Sequence, residues 1–305
     1  MNTRKNVTAL LAALLVALAF SACPSPADGG SSTPIAASTP CLCPPVMEMV
    51  RIRAGTFTMG SPSSEADSYD NERLPHTVTL SAFWMGKYEV TQAQYLAVMG
   101  TNPSSSFGVG NNYPVYYVSW YDAIVFCNKL SMKEGLSPAY SISNSTDPDD
   151  WGTVPWGNNA AWDAVQIVYG SNGYRLPTEA QWEYACRAGK QTPWHTASGT
   201  DSDLGNYAWY SPNSSSMAHE VGLKSPNAFG LYDMHGNVWE WCWDRYGAYD
   251  NGTQTDPTGA ASGTYRVDRG GSWDSAGQSL RSARRDNGGP SNSSNRVGFR
   301  LVRPN

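Results

Sequence analysis

Between positions 233 and 240 the chain reads Asp-Met-His-Gly-Asn-Val-Trp-Glu, two carboxylates with backbone carbonyls between them inside eight residues. An all-oxygen donor set of this kind suits a hard cation such as calcium, acting as a structural clamp. The same residues also make an irregular turn pinned by Trp239 and Trp241, with Glu240 paired to an arginine. The histidines, His76, His195, His219 and His235, show no ligand spacing, and His235 reads as a packed or surface residue rather than a transition-metal ligand. A Gly-x-Ser-x-Gly nucleophile elbow is absent. Of the six cysteines, Cys41 and Cys43 stand too close for an easy mutual bridge, and Cys127 and Cys186 fall in predicted helices, where plain buried thiols are expected. The disulfide connectivity stays open.

A different chemistry, adaptable hydrogen bonding, is concentrated near the C-terminus. Of the 22 residues from Asp274 to Asn295, 14 are Ser, Asn, Asp or Gly and none is aromatic. In a chain otherwise crowded with rings, such a stretch is not core. It resembles the polar part of a paratope without its Tyr and Trp anchors, or else a surface loop rich in turn formers. Residues 266–305 also hold eight Arg and three Asp, a local excess of positive charge that could steer an acidic ligand. For Arg281, Arg300 and Arg303 the favoured reading is a scaffold role, bonding carbonyls or carboxylates.

The elements that must position these residues are few. Alternation over Val50–Met59, closed by Gly60-Ser-Pro, predicts a strand, and His76–Tyr88 a second strand region. Thr91 with Gln94 opens a helix at Gln92–Met99, Ser119 caps one from Trp120 to about Glu134, and Thr178 with Gln181 opens Glu179–Arg187. Residues 136–173 and 190–228 are mostly polar turn formers with isolated Trp, long stretches that regular ladders alone cannot hold. Twelve Trp, 17 Tyr, 29 Gly and 20 Pro describe a turn-rich α+β domain with an aromatic core.

Only 15% of the residues are charged, against roughly 25% in average domains, which excludes coiled coils and charged tails. From Cys23 onward acidic residues outnumber basic ones, the wrong sign for binding duplex nucleic acid. Residues 1–22 read as a lipoprotein signal, with Arg4-Lys5, an apolar run from Ala9 to Phe20, then Ser-Ala-Cys23. That run is too short to span a membrane. Lipid on Cys23 would then be the only membrane attachment, holding the protein outside the cytoplasm and at the cell surface, with residues 23–45 as a flexible stalk. Residues 46–305 form a single domain, expected to be monomeric.

Several motifs recur in a telling order: AGTFTMG at 54–60, MGKYEVTQ at 85–92, RLPTEAQWEYA at 175–185, NAFGLYDMHGNVWEW at 227–241, RGGSW at 269–273 and VGFR at 297–300. Together they resemble the formylglycine-generating-enzyme (sulfatase-modifying-factor) domain, which implies an elaborated C-type-lectin fold with few helices and much irregular structure. The family's enzymes hold copper with two cysteines. At the matching places this chain has Ser275 and Leu280, so no copper and no oxidase chemistry are expected. The resemblance also implies calcium on the side chains of Asp233 and Glu240 and the carbonyls of Gly236 and Val238.

Arg266–Asn305 is further similar to the variable region of proteins diversified by diversity-generating retroelements, which display ligand-binding residues on this scaffold. The framework pieces would be Arg269–Trp273, Leu280–Ala283, Pro290 and Val297–Arg300. The variable, ligand-contacting positions would be Asp274, Ser275, Ala276, Gly277, Ser279, Arg284, Asp286, Asn287, Gly288, Gly289, Ser293, Ser294 and Asn295. Ser, Asp, Gly and Arg can each be reached from the Asn codon AAC by changing adenines alone, the expected trace of adenine-directed mutagenesis. The reading is therefore a non-enzymatic surface lipoprotein that binds a macromolecular ligand, most simply a protein.

Overall fold

The computed structural model describes residues 46–305. The leader, Cys23, the stalk, Cys41 and Cys43 lie outside the described residues. In chain order the elements are β1 (Met49–Ile52), β2 (Gly55–Met59), β3 (His76–Leu80), β4 (Phe83–Gly86), α1 (Gln92–Met99), α2 (Trp120–Lys133), β5 (Tyr140–Ser141), α3 (Ala160–Asp163), β6 (Gln166–Ile167), α4 (Glu179–Arg187), β7 (Trp239–Arg245), β8 (Gln254–Thr255), β9 (Arg266–Arg269), β10 (Arg285–Gly288), β11 (Val297–Gly298) and β12 (Val302–Pro304). The fold is α+β of the elaborated C-type-lectin kind, with much irregular backbone.

The three longer helices start where capping chemistry places them. Thr91, Ser119 and Thr178 each accept from the N3 amide, and Gln94, Asp122 and Gln181 return a side-chain acceptor to the cap amide. The two strand regions divide where the sequence suggested continuity. Val50–Met59 breaks at Arg53-Ala54, and His76–Tyr88 breaks at Ser81-Ala82. The two breaks face each other across the antiparallel pairs, so β2 and β3 join β8 in one sheet while β1 and β4 join β12 in another. Alternation reports a strand but not a change of sheet, because the pleat period is the same on both sides.

A sheet ordered β10-β9-β7-β11 carries the C-terminal region. Its register aligns Arg285, Arg269 and Glu240 across neighbouring strands, and Asp286, Asp268 and Trp241 one residue along. Successive side chains alternate, so these two rows face opposite sides. The first row meets α4 and one core, in which Trp182, Phe83, Met85 and Val267 pack; Trp241 belongs to the other core, with Trp120, Phe126, Trp162 and Phe299. Cys127, Cys186 and Cys242 are buried free thiols.

Candidate ligand surface

Framework residues of 266–305 are held by acids that arrive from distant segments. Arg281 is fully buried and reaches Glu72 Oε1 at 2.5 Å and Glu65 Oε1 at 2.8 Å. Arg285 binds Glu179 Oε2 at 2.6 Å, and Arg269 lies between Glu183 and Glu179. Arg300 makes a bidentate pair with Glu240, at 2.6 and 2.7 Å, and donates to the carbonyls of Gly86 and Tyr232. Such paired geometry is what makes guanidinium the tolerable buried cation. Arg303 departs from its expected scaffold bonding: its guanidinium lies over the Tyr174 ring at 5.9 Å, and its Nε has no partner.

Of the thirteen candidate positions between these framework pieces, all but Gly289 are half-buried or exposed. Arg284 and Asp286 share the face of Trp241 and stand 3.4 Å apart, and Arg284 also covers the Tyr69 ring at 4.2 Å. Asp274 pairs with Arg296 at 2.6 Å, and Trp273 Nε1 donates to the Asn295 carbonyl, so the segments 274–275 and 293–296 meet. Ser293 is exposed and Ser294 half-buried, on the crossing from β10 to β11; the Ser294 carbonyl accepts from the Tyr117 amide. Ala276, Gly277 and Ser279 form a separate turn, in which the Gly277 carbonyl accepts from Trp194 Nε1.

Three of the thirteen positions depart from the display reading. Gly289 is buried. A Cβ at Gly288 would stand 2.6 Å from the Trp241 ring, so this glycine is a packing surface for a core indole. Asn287 falls by alternation on the opposite face, with Arg285 and Val267. All three sit among turn-forming residues, and composition cannot distinguish a glycine that faces solvent from one that covers a ring.

Sequence reasoning missed Asp268, Tyr69 and Glu89. Asp268 is 6% exposed, and its Oδ1 has no hydrogen-bond partner. Burial holds its carboxyl well above the usual range, and Asp286 directly across the strand pair adds to this. A hydrogen-bond donor or cation on a ligand would relieve that pair. Only the burial pattern of β9 singles Asp268 out, and that pattern is tertiary.

The 233–240 turn carries left-handed backbone at Asp233, Gly236 and Asn237; at Gly236 a Cβ would lie 2.1 Å from the Trp209 carbonyl, so only glycine fits. Buried Glu89 secures the turn, accepting from the Val238 amide at 3.1 Å and Asn237 Nδ2 at 2.7 Å. Both Glu240 oxygens are engaged by Arg300, and one also accepts from Trp182 Nε1. The Asp233 Oδ2 accepts from the Gly222 amide, while its Oδ1 has no partner. The donor set for calcium, Asp233, Glu240 and the carbonyls of Gly236 and Val238, therefore fits poorly, because an ion would compete with Arg300 for Glu240. The arrangement is the alternative, Glu240 paired to an arginine. Accordingly, EDTA followed by excess calcium should move the melting temperature by less than about 2 °C in scanning calorimetry, well under the effect of a kcal/mol-scale ligand. A calcium-dependent rise of 5 °C or more would restore the metal reading.

The positions of the copper cysteines are also unsuited to that ion. Ser275 Oγ accepts from the Ser272 amide at 3.0 Å, and Leu280 is buried with Leu204 and Ala208. A cleft of about 560 Å³, lined by Glu179, Asp244, Tyr249 and Arg285 among others, lies elsewhere and includes none of the variable positions.

The family described as Sulfatase-modifying factor enzyme 1-like domain matches residues 37–305. The chain belongs to this family. Among solved structures, this sulfatase-modifying-factor-like chain is similar to Treponema denticola variable protein 1, with 41% identity, a TM-score of 0.77, and coverage of 84% of this chain and 95% of the other. PvdO from Pseudomonas aeruginosa is 26% identical with a TM-score of 0.64, covering 84% and 94%. Among curated relatives, the chaperone protein LppX of Paenibacillus barcinonensis is 38% identical over 74% of this chain and 78% of its own length. The formylglycine-generating enzyme of Mus musculus is 27% identical over 84% and 74%. The domain is thus formylglycine-generating-enzyme-like and of the variable-protein type.

Proposed function

We propose that this protein is a surface-displayed lipoprotein that binds a macromolecular ligand, with C-terminal positions diversified by a retroelement and no catalytic activity. One observation carries the reading. Within 266–305 the arginines at 269, 281, 285 and 300 are buried and locked to acids from elsewhere, while most side chains between them reach solvent. A framework that spends its charge internally leaves the intervening positions free to change. The likeness to a variable protein at 41% identity supports the same reading. Anchoring by lipid on Cys23 and display outside the cytoplasm belong to this proposal, and metabolic labelling with palmitate, lost in Cys23→Ala, tests them.

Sequencing the DNA beside the gene tests diversification. The expected finding is a near-copy of the last 120 or so bases, next to a reverse transcriptase gene, with mismatches confined to adenines. Those mismatches should fall on the codons of Asp274, Ser275, Arg284, Asp286, Ser293 and Asn295. Mismatches at Arg269, Arg281 or Arg300, or no copy at all, would defeat the reading. Replacing the same six residues together by Ala should cost less than about 4 kcal/mol in urea unfolding, since unpaired surface substitutions typically stay within about 0.5 kcal/mol each and the two partly exposed pairs lost, Asp274–Arg296 and Arg284–Asp286, are worth about 0–1 kcal/mol each. Unfolding of the six-fold variant would instead make the segment part of the scaffold.

A further inference from the structure

Two histidines without ligand spacing in the sequence are brought against a thiol by the fold. Cys186 lies in α4, His195 on the segment after it, and His235 in the glycine-containing turn before β7. Cys186 and His235 are fully buried and His195 is 6% exposed. The two imidazoles stack with centroids 4.2 Å apart, and Cys186 Sγ lies 3.8 Å from His235 Nδ1. One donor atom from each of the three residues lies within 4.8 Å of the others, the one such cluster among the described residues.

Hydrogen bonding accounts for His235 but not for His195. Both ring nitrogens of His195 are buried without a partner, although buried polar groups nearly always find one. Cys186 makes only long contacts, to the Met234 carbonyl at 3.5 Å and Ser282 Oγ at 3.6 Å. The charged groups around the cluster are Arg187, Arg269, Glu183 and Lys190.

We propose that Cys186, His195 and His235 bind one thiophilic d10 cation, zinc(II) or copper(I), through Sγ and one nitrogen of each ring. One sulfur and two imidazole nitrogens match these ions and not calcium or magnesium, which require oxygen. Ligands of a tetrahedral zinc at about 2.0–2.3 Å lie roughly 3.3–3.8 Å apart, so the cluster must contract and the stacked rings must turn. His195 is free to do so, having no ring hydrogen bond. His235 gives up the bond in which its Nε2 accepts from the His195 amide at 3.1 Å. On binding, the Cys186 proton leaves to solvent and the thiolate stays on the ion, whose positive charge offsets the cost of burying it.

The role is a structural clamp beneath the variable segment. Ser282 at the cluster donates its amide to the Pro193 carbonyl at 2.6 Å, and Trp194 Nε1 reaches the Gly277 carbonyl at 3.2 Å. An ion here would tie α4, the segment around His195 and the 233–240 turn together under residues 277–282.

The test compares the full chain with Cys186→Ser and His195→Gln. Each is loaded in turn with zinc(II) and, anaerobically under reductant, with copper(I), then desalted and measured by plasma mass spectrometry. The expected result is one more ion per chain in the parent than in either variant, for at least one of the two metals. Whichever ion shows that difference identifies the occupant; Cys41 and Cys43 contribute equally to all three proteins. Cobalt(II) loading should give a sulfur-to-cobalt charge-transfer band in the parent that Cys186→Ser lacks. Equal content of both metals in all three proteins overturns the site, and where zinc is the ion that differs, a cobalt spectrum without that band overturns it too. If Cys186→Ser fails to fold by circular dichroism, the comparison with His195→Gln and the parent's cobalt spectrum decide alone.

Discussion

Glu240→Gln should cost about 3–5 kcal/mol in urea unfolding, the typical penalty for stranding one member of a buried ion pair. Arg300 and Glu240 are both fully buried, and the substitution removes the carboxylate charge and replaces one of its two acceptor oxygens with an amide NH2 facing the guanidinium. A domain of this kind has roughly 5–15 kcal/mol in total, so about a fifth or more of its stability rests on one carboxylate. The matched control is Glu48→Gln. Its pair with Lys87, at 3.0 Å, is partly exposed on both sides, and its loss should cost less than about 1 kcal/mol. Both values should be the same with and without EDTA. A loss under 1 kcal/mol at Glu240 would show that the pair does not secure the sheet, and a loss abolished by EDTA would mean that calcium acts through Glu240.

The second large effect is expected at Gly288, a position that sequence reasoning assigned to the variable set. Gly288→Val should destabilise by about 1–3 kcal/mol, the usual range for overpacking, and change the near-ultraviolet circular dichroism. The cause is local: the new Cβ meets the Trp241 ring at 2.6 Å, and that ring is 1% exposed and tied through Nε1 to the Val118 carbonyl. An indole fixed on both sides cannot step aside cheaply. Asp286→Val on the same face, two residues away, should cost well under 1 kcal/mol. Equal tolerance at both sites would return Gly288 to the display surface.

The two effects bear on how the protein recognises a ligand. The eight arginines of the C-terminal segment suggested a basic surface, yet Arg269, Arg281, Arg285 and Arg300 are neutralised inside by Glu183, Glu72, Glu179 and Glu240. Arg284 and Arg296 pair with Asp286 and Asp274 at the surface itself. Steering of an acidic partner is therefore weak. The open chemistry is instead the Asp268 and Asp286 pair, flanked by Arg284 and Tyr69, which suits a hydrogen-bond donor more than an anion.

The sequence by itself determined the local elements and the family. Capping boxes at Thr91, Ser119 and Thr178 are short-range hydrogen-bond patterns, complete within four residues, and the helices begin where those patterns stand. The motif order, from the AGTFTMG strand to VGFR, likewise carried the fold class. Arg281 and Arg300 could be read as scaffold because a ring-poor, turn-rich segment still needs internal partners. Only the tertiary structure decided which acid meets which arginine, since Glu72 and Arg281 are 209 positions apart and Glu240 and Arg300 are 60. It also decided that Gly288 lies under Trp241, that Asn287 faces away, and that Cys186, His195 and His235 meet. Spacing along a chain reports neighbours only where the backbone repeats; here irregular loops do the folding, and contact follows from packing rather than period.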